Sequence, residues 1–295
     1  MGEDTVEGVR LTHPDKVLYP DMGLTKRDLV DYYCAVEKLI LPHVTGRLLS
    51  LVRCPEGSAM RCFFQKHAGE GFPEAFKSLE IVENNGGRAE YLTIDGLDGL
   101  IAGVQVGTLE FHVWGSEIAD IERPTRLVFD LDPDPGLGFA AVKKGAITLR
   151  DFLDELGLKS FPMLTGGKGV HVVVPIHPTV EWPAAKAFCR AVAAAMEEAE
   201  PDKYVVAMAK AKRKGRIFID YLRNDRGSTA IAPYSTRARP GAPVAAPITW
   251  DELARTKSAA AYDVKSMTRR KADPWKGYFK LKQSLTPALR KAAGA

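Results

Sequence analysis

The sharpest chemical signal in the chain is an eleven-residue stretch, Arg126-Leu-Val-Phe-Asp130-Leu-Asp132-Pro-Asp134-Pro-Gly136. An apolar run leads straight into Asp130 and Asp132. Residues two apart on a strand point to the same face, so both carboxylates can converge on one point. Adjacent carboxylates repel and are costly to bury unless a cation neutralises them. Hard oxygen donors suit Mg²⁺ or Mn²⁺. The plainer alternative is a turn with surface carboxylates. Asp220 favours the metal reading, because it sits inside Arg216-Ile-Phe-Ile-Asp220-Tyr-Leu, where a charge within an apolar strand needs a partner. That partner is either a salt-bridging arginine or the same metal pair. An Asp-x-Asp plus a third Asp is the ligand set of two-metal phosphoryl transfer.

A second candidate is Thr165-Gly166-Gly167-Lys168-Gly-Val-His171, between two strand-like segments. Its glycines let backbone N–H groups approach phosphate oxygens, while Thr165, Lys168 and His171 add donors or charge. The spacing is not that of a Walker loop, and a strand rather than a helix follows. A glycine-rich loop alone is often just a tight turn; opposite a carboxylate cluster it becomes a triphosphate cradle. His112 shares a strand face with Glu110 and Trp114, where an ordinary half-buried histidine is the simpler reading. Phe63-Phe64, between Arg61 and Lys66-His67, suits stacking on bases, although most such pairs are core. Lys16, Lys26 and Arg53 carry no signal of their own. Cys54, Cys62 and His67 lack a fourth ligand and C-x-x-C spacing, so they do not read as a zinc site. The cysteines are expected to be reduced thiols.

The elements that must position these groups follow from periodicity. Thr25–Leu41 reads as a helix capped by Thr25 with Asp28 at the capping-box position and stopped by Pro42. Leu149, Phe152, Leu153 and Leu156 form a helical stripe ending at Gly157, and another helix runs from near Pro183 to Glu200. Thr108–Trp114, Arg126–Leu131, Val170–Ile176 and Arg216–Leu222 read as strands. Arg237–Pro247, rich in Pro, Gly and Ala, reads as an extended connector. The fold expected is α+β, with a central mixed or antiparallel sheet flanked by helices.

The 295 residues carry a net charge of only +4, unevenly placed. Residues 201–240 hold ten Lys/Arg against three Asp, and residues 265–295 hold nine against one. Basic segments against an acidic remainder suggest a polyanion-binding face, although a solvated basic tail explains 265–295 equally well. No run approaches the length of a membrane helix, and the polar start MGEDTVEGVR does not read as a signal peptide. A cytoplasmic protein is expected.

Taken in order, five motifs resemble one family: Leu11-Thr-His-Pro-Asp-Lys16-Val-Leu-Tyr-Pro; Arg53-Cys-Pro-Glu-Gly with Phe63-Phe64-Gln-Lys-His; Phe129-Asp-Leu-Asp-Pro; Thr165-Gly-Gly-Lys-Gly-Val-His; and Thr229-Ala-Ile-Ala-Pro-Tyr-Ser-Thr-Arg237-Ala-Arg-Pro. They are similar to the polymerase domain of bacterial ATP-dependent DNA ligase D, within the archaeo-eukaryotic primase superfamily. The likeness covers about residues 8–285. It implies a primase-like core in a single catalytic domain over 1–295. That domain would comprise a DNA-contacting part at about 8–107, a metal and nucleotide core at about 108–240, and a basic C-terminal segment at about 241–295.

The resemblance also implies roles. Asp130, Asp132 and Asp220 would hold two divalent ions, Mn²⁺ or Mg²⁺. Thr165, Gly166, Gly167, Lys168, His171 and Arg237 would contact the incoming nucleoside triphosphate, with His112 near a sugar whose 2′-hydroxyl is tolerated or preferred. Lys16 and Lys26 would bind a downstream 5′-phosphate at a gap or break, and Arg53, Phe63 and Phe64 the template. The implied activity is gap filling and end extension in non-homologous end joining at the bacterial nucleoid, with Ku and a ligase domain as partners. Thr165 is often serine in the family, which keeps the hydroxyl. No K-x-D-G nucleotidyl-lysine motif is present. The rival readings are a primer-independent primase, a metal-dependent nuclease, which has no need of a triphosphate cradle, and a non-catalytic DNA-end-binding module. The last does not explain three carboxylates that would oppose DNA.

Overall fold

Hydrophobic periodicity becomes helices α1 (Lys26–Val44), α2 (Leu97–Gln105), α3 (Phe139–Glu155), α4 (Trp182–Ala199), α5 (Trp250–Arg255), α6 (Val264–Thr268) and α7 (Pro287–Ala292). The computed structural model describes residues 4–69, 71–83, 85–270 and 272–295. The first three residues of the polar start, and Lys271 of the basic segment, lie outside that description. The chain forms two compact units, each discontinuous in sequence. One comprises Met1–Trp114, Ile231–Ala245 and Tyr262–Ala272; the other comprises Gly115–Ala230, Ala246–Ala261 and Asp273–Ala295.

In the first unit the strand Leu49–Arg53 is the hub. It pairs antiparallel with Thr108–Trp114, with Phe63–Gln65 and, through Leu49, with Arg88–Ile94, which in turn pairs with Phe76–Val82. α1 begins with the expected capping box, the Thr25 side chain accepting from the Asp28 N–H while Asp28 accepts from the Thr25 N–H. Its apolar stripe, Leu29, Val30, Tyr33, Val36 and Ile40, is buried, and Tyr33 meets Phe111 edge-on at 5.4 Å between ring centroids. Each such side chain contributes about 1.5–3 kcal/mol on burial.

In the second unit Arg126–Pro133 lies between Val170–Pro175 and Ile217–Asp220, antiparallel to both. The sheet extends outward through Phe161–Leu164 and Ala246–Pro247 on one side. On the other side Tyr204–Val205 joins in parallel, which makes the sheet mixed. α3 packs on the two central strands through Val142, Ala146, Leu149 and Leu153. The mixed sheet with helices is the α+β architecture expected.

Three expectations change. Pro42 does not stop α1, which runs to Val44; Pro42 loses only its own N–H, and Thr45 closes the helix by donating its N–H and Oγ1 to the Leu41 carbonyl at 3.0 and 2.8 Å. Arg237–Pro247 is not an extended connector. It folds back on itself, with the Arg237 N–H donating to Pro243 O at 2.8 Å and Thr236 bridged to Val244, so that residues 242–247 are buried. Cys54 and Cys62 are not free thiols but a disulfide. Arg53 and Phe63 are a directly paired couple, so the residues just beyond them face each other, with Cα atoms 4.3 Å apart.

One buried side chain completes the second sheet. Ile217–Asp220 stops pairing at Asp130, and beyond it Asn224 takes over. Its Oδ1 accepts from Val128 N–H and its Nδ2 donates to Val128 O, both at 2.7 Å. Asn224→Ala strands both backbone groups in a buried site, so a loss of about 2–4 kcal/mol is expected in denaturant unfolding. A loss within experimental error of zero would show that water replaces the amide.

Candidate active site

Strand register assembles the acidic cluster. Asp130 is paired directly with Asp220 on one side and with His171 on the other. Directly opposed residues share a face, and Asp132, two residues along, shares it too. Asp130, Asp220 and His171 are all buried. Burial and the charge of Asp130 push the Asp132 carboxyl up, His171 and Arg223 pull it back, Asp220 raises it again, and it comes to about 6 against an ordinary 3.8. Asp220 is raised as well, first by burial, against the opposing charge of Arg223.

Basic side chains already surround the cluster. Arg223 Nε lies 3.2 Å from Asp220 Oδ2 and its Nη2 lies 3.7 Å from Asp130 Oδ2. His171 Nε2 is 3.3 Å from the same Asp130 oxygen. Both alternatives raised for Asp220 are thus in play, because the salt-bridging arginine is present within the same carboxylate group. Among the described residues no three His, Cys, Asp or Glu side chains form a ready-made ligand set. The donor chemistry nevertheless fits a divalent ion: three hard carboxylates share one face, burial and the charge of Asp130 raise the pKa of one of them, and the buried His171 Nδ1 lacks a hydrogen-bond partner among the described residues.

The glycine loop joins the strands Phe161–Leu164 and Val170–Pro175, the second of which carries His171. A Cβ on Gly169 would stand 2.6 Å from the Leu131 carbonyl oxygen, so only glycine allows this approach to the carboxylate strand. Thr165 is spent on the loop itself: its buried hydroxyl donates to Gly169 O at 3.0 Å and accepts from Gly167 N–H at 3.3 Å. The Gly166 N–H donates to Ala259 O. Two of the backbone donors read as free for a phosphate are therefore engaged, and Lys168 is the exposed cation of the loop.

The first unit carries the other expected residues. Glu110 accepts from His112 Nε2 at 2.8 Å and from the Ala238 N–H at 2.9 Å, and pairs with Arg237 Nε at 3.0 Å. Burial pushes this carboxyl up, but the His112 bond and the Arg237 charge outweigh it and hold it at about 2. The ring of Phe64 lies 5.0 Å from that of His112. Phe63 and Phe64 are 42% and 55% exposed, far too open to be core. Arg53 stands over the Phe63 ring at 5.5 Å and is fixed by bonds to Val106 O and Gln65 Oε1.

Lys16, Lys26 and Arg53 line one cavity of about 230 Å³, together with His13 and Gln105. Gly107 is at its wall, with φ +80° and a Cβ position only 2.8 Å from Pro55. Lys26 is buried, donating to Thr12 O at 2.6 Å and Gln105 Oε1 at 3.2 Å, and burial and the charge of Lys16 both lower its pKa. Lys16 is paired with Glu56 at 3.0 Å.

Comparison with known proteins decides the family. The model of "LigD, primase-polymerase domain" matches residues 25–275. The chain belongs to the LigD primase-polymerase domain family. A polymerase of this family joins nucleotides, so the chain is a nucleotidyltransferase. The multifunctional non-homologous end joining protein LigD of Pseudomonas aeruginosa is 35% identical over 292 residues, covering 97% of this chain and 35% of that protein. The Mycolicibacterium smegmatis LigD is 38% identical over 255 residues, covering 86% and 33%. The chain thus spans about a third of the length of these two relatives. The polymerase domain of Mycobacterium tuberculosis ligase D, solved in complex with DNA, superposes with a TM-score of 0.82 at 35% identity, covering 88% of this chain and 93% of that one.

Within this LigD-type domain, sequence reading missed Arg223, Asn224, Glu110 as an anchor, and Gln105. Arg223 and Asn224 follow the Asp220 strand and look like turn residues; only the register places them against Asp130 and Val128.

The Asp132 shift has a direct consequence. The unfolded chain returns this group to its ordinary 3.8, so the folded state holds the extra proton between 3.8 and about 6. Its contribution to stability therefore falls as pH rises through that window. Without divalent metal, Asp132→Asn is expected to melt higher than the parent at pH 7, with the difference vanishing below pH 4. A pH-independent difference would contradict the shift. Added Mn²⁺ should stabilise the parent at pH 7 far more than at pH 5, because protons compete with it at the same carboxylates.

Proposed function

We propose that this chain fills gaps and extends DNA ends in bacterial non-homologous end joining, adding nucleotides to a primer 3′-hydroxyl. The observation that carries the reading is the register that sets Asp130, Asp220 and Asp132 on one face beside His171, next to a loop presenting Lys168. The DNA in the structure of the Mycobacterium tuberculosis relative supports DNA as the partner, and the relatives' names support the end-joining context.

Asp130, Asp132 and Asp220 are the residues that would hold two divalent ions, manganese or magnesium. Such ions neutralise the carboxylates, lower the pKa of an attacking hydroxyl and stabilise charge on the transferred phosphate. The chain's own groups then have distinct work. Lys168 attracts the triphosphate, Thr165 with Gly166 and Gly167 fixes the loop that presents it, and His171 donates to a phosphate oxygen or orients Asp130. Arg237, held by Glu110, is assigned to the triphosphate. His112, held by the same carboxylate, is assigned to the ribose, where contact with the 2′-hydroxyl would favour ribonucleotides.

The cavity of Lys16, Lys26 and Arg53 suits a downstream 5′-phosphate. Two lysines repelling one another at a partly dry site are relieved by an anion. That feature favours end filling over primer-independent priming, which has no such strand to grip. Phe63 and Phe64 offer exposed faces for template bases. Ku and a ligase domain, and a place at the bacterial nucleoid, complete the proposal from the resemblance to ligase D.

Primer extension on a gapped duplex tests it. With Mn²⁺ the parent is expected to extend the primer, preferring ribonucleotides and gaps that carry a 5′-phosphate. Asp130→Ala and Asp132→Ala should lose extension while circular dichroism and most DNA affinity persist; extension at the parent rate by either would refute the assignment. Lys16→Ala should weaken binding about tenfold for the 5′-phosphorylated gap alone, the scale of one charge-assisted hydrogen bond. Equal loss on unphosphorylated DNA would refute that role.

A further inference from the structure

The basic C-terminal segment is not used by any site above, yet part of it lines a cavity of about 470 Å³ in the second unit. The cavity lies at the Phe161 end of the strand Phe161–Leu164, the opposite end from the Thr165 loop, and is bounded by the last turns of α3, the start of α5 and residues 276–281. Its cations come from three separate stretches: Arg150, Lys159 and Lys276. Arg150 is neutralised by Asp151, whose Oδ1 lies 2.6 Å from Nη2. Lys159 and Lys276 have no ion pair among the described residues. Against them the lining holds one acid, Asp154, so the cavity stays net positive.

The other walls are aromatic and held in place. Trp250 donates its indole N–H to Ser160 O at 2.9 Å, and Arg150 lies 5.3 Å from its ring centroid. Phe161 is braced edge-on by Tyr278 at 5.2 Å. The backbone of Lys159 is clamped from both sides by Gln283, which donates to its carbonyl at 2.8 Å and accepts from its N–H at 3.0 Å. Ser160 also lines the cavity, and its buried hydroxyl lacks a hydrogen-bond partner among the described residues. The aromatic walls and the Lys159 backbone are therefore fixed, while the Lys159 and Lys276 side chains are exposed to solvent.

We propose that this cavity is a second nucleotide-binding site, taking a nucleoside phosphate either free or as one unit of a single strand. The volume is that of a small-molecule pocket. Half-buried aromatic faces beside unpaired cations are the combination that accepts a base and its phosphate together. An acidic peptide would use the lysines but leave the aromatic walls without a matching planar group. The proposal does not rest on the carboxylate assignment, since it concerns other residues at the other end of a strand.

Tryptophan fluorescence of the full chain in EDTA, titrated with dTMP and separately with the 5′-phosphorylated hexamer p(dT)6, tests it. A saturable quench is expected that disappears in Trp250→Phe. In Lys159→Glu/Lys276→Glu its midpoint should move at least about tenfold, the scale of one stacked base or phosphate contact. The milder Lys159→Gln/Lys276→Gln should move it the same way. Primer extension should be unchanged in all three variants, which also reports that they fold. Quenching by dTMP as well as by the hexamer identifies a free-nucleotide site, and quenching by the hexamer alone identifies a single-strand site. No quench with either probe, a quench that persists in Trp250→Phe, or an unmoved midpoint in both lysine variants would overturn the proposal.

Discussion

The arrangement that constrains the second unit most is a repulsion. Asp130 and Asp220 are paired directly across neighbouring antiparallel strands, and Asp132 lies two residues along the same face. Two charges about 5 Å apart at an effective dielectric near 20 repel by about 3 kcal/mol. That is comparable with what burying a large apolar side chain contributes, so register alone would not choose it. The surroundings make it tolerable: Phe129, Leu131 and Ile219 secure the strands by complete burial, Arg223 supplies positive charge, and His171 Nε2 lies 3.3 Å from Asp130 Oδ2. A fold that carries such a cost at one point is expected to use it.

The first unit presents the opposite electrostatic problem. Lys26 is buried beside Lys16, with neutral oxygens of Thr12 and Gln105 as its partners, while Glu110 is a buried anion matched by Arg237 and His112. The Glu110 group is satisfied and rigid, which suits residues that position a ligand. The two lysines are only partly compensated, which suits residues that wait for one. The contrast follows from partner counts and does not require a ligand to be present.

Much of this was legible in the chain. Thr108–Trp114, α4 and the capping box of α1 follow from periodicity and side-chain chemistry that act locally, and Asp130 with Asp132 announces itself by a strand period of two. The roles proposed for His112, Arg237, Lys16 and Lys26 rest on resemblance, since nothing local in the sequence distinguishes these residues. The remainder was hidden for physical reasons. The Cys54–Cys62 bond depends on which strands pair, and Arg223 and Asn224 act through register with a strand nearly a hundred residues away. The Arg237–Pro247 segment has the composition of a linker, yet tertiary hydrogen bonds fold it back and bury most of it. Pro42 shows the reverse case, a strong local stop signal outweighed when only one terminal hydrogen bond is at stake.

The three aspartates are proposed to bind divalent metal. Electron paramagnetic resonance of free Mn²⁺, titrated with the intact chain at pH 7.5, measures this without any dependence on turnover. Bound Mn²⁺ is expected in the parent and should be lost in Asp130→Ala and in Asp220→Ala, with both variants still folded by circular dichroism. Equal Mn²⁺ binding by the parent and both variants would contradict metal binding at these aspartates.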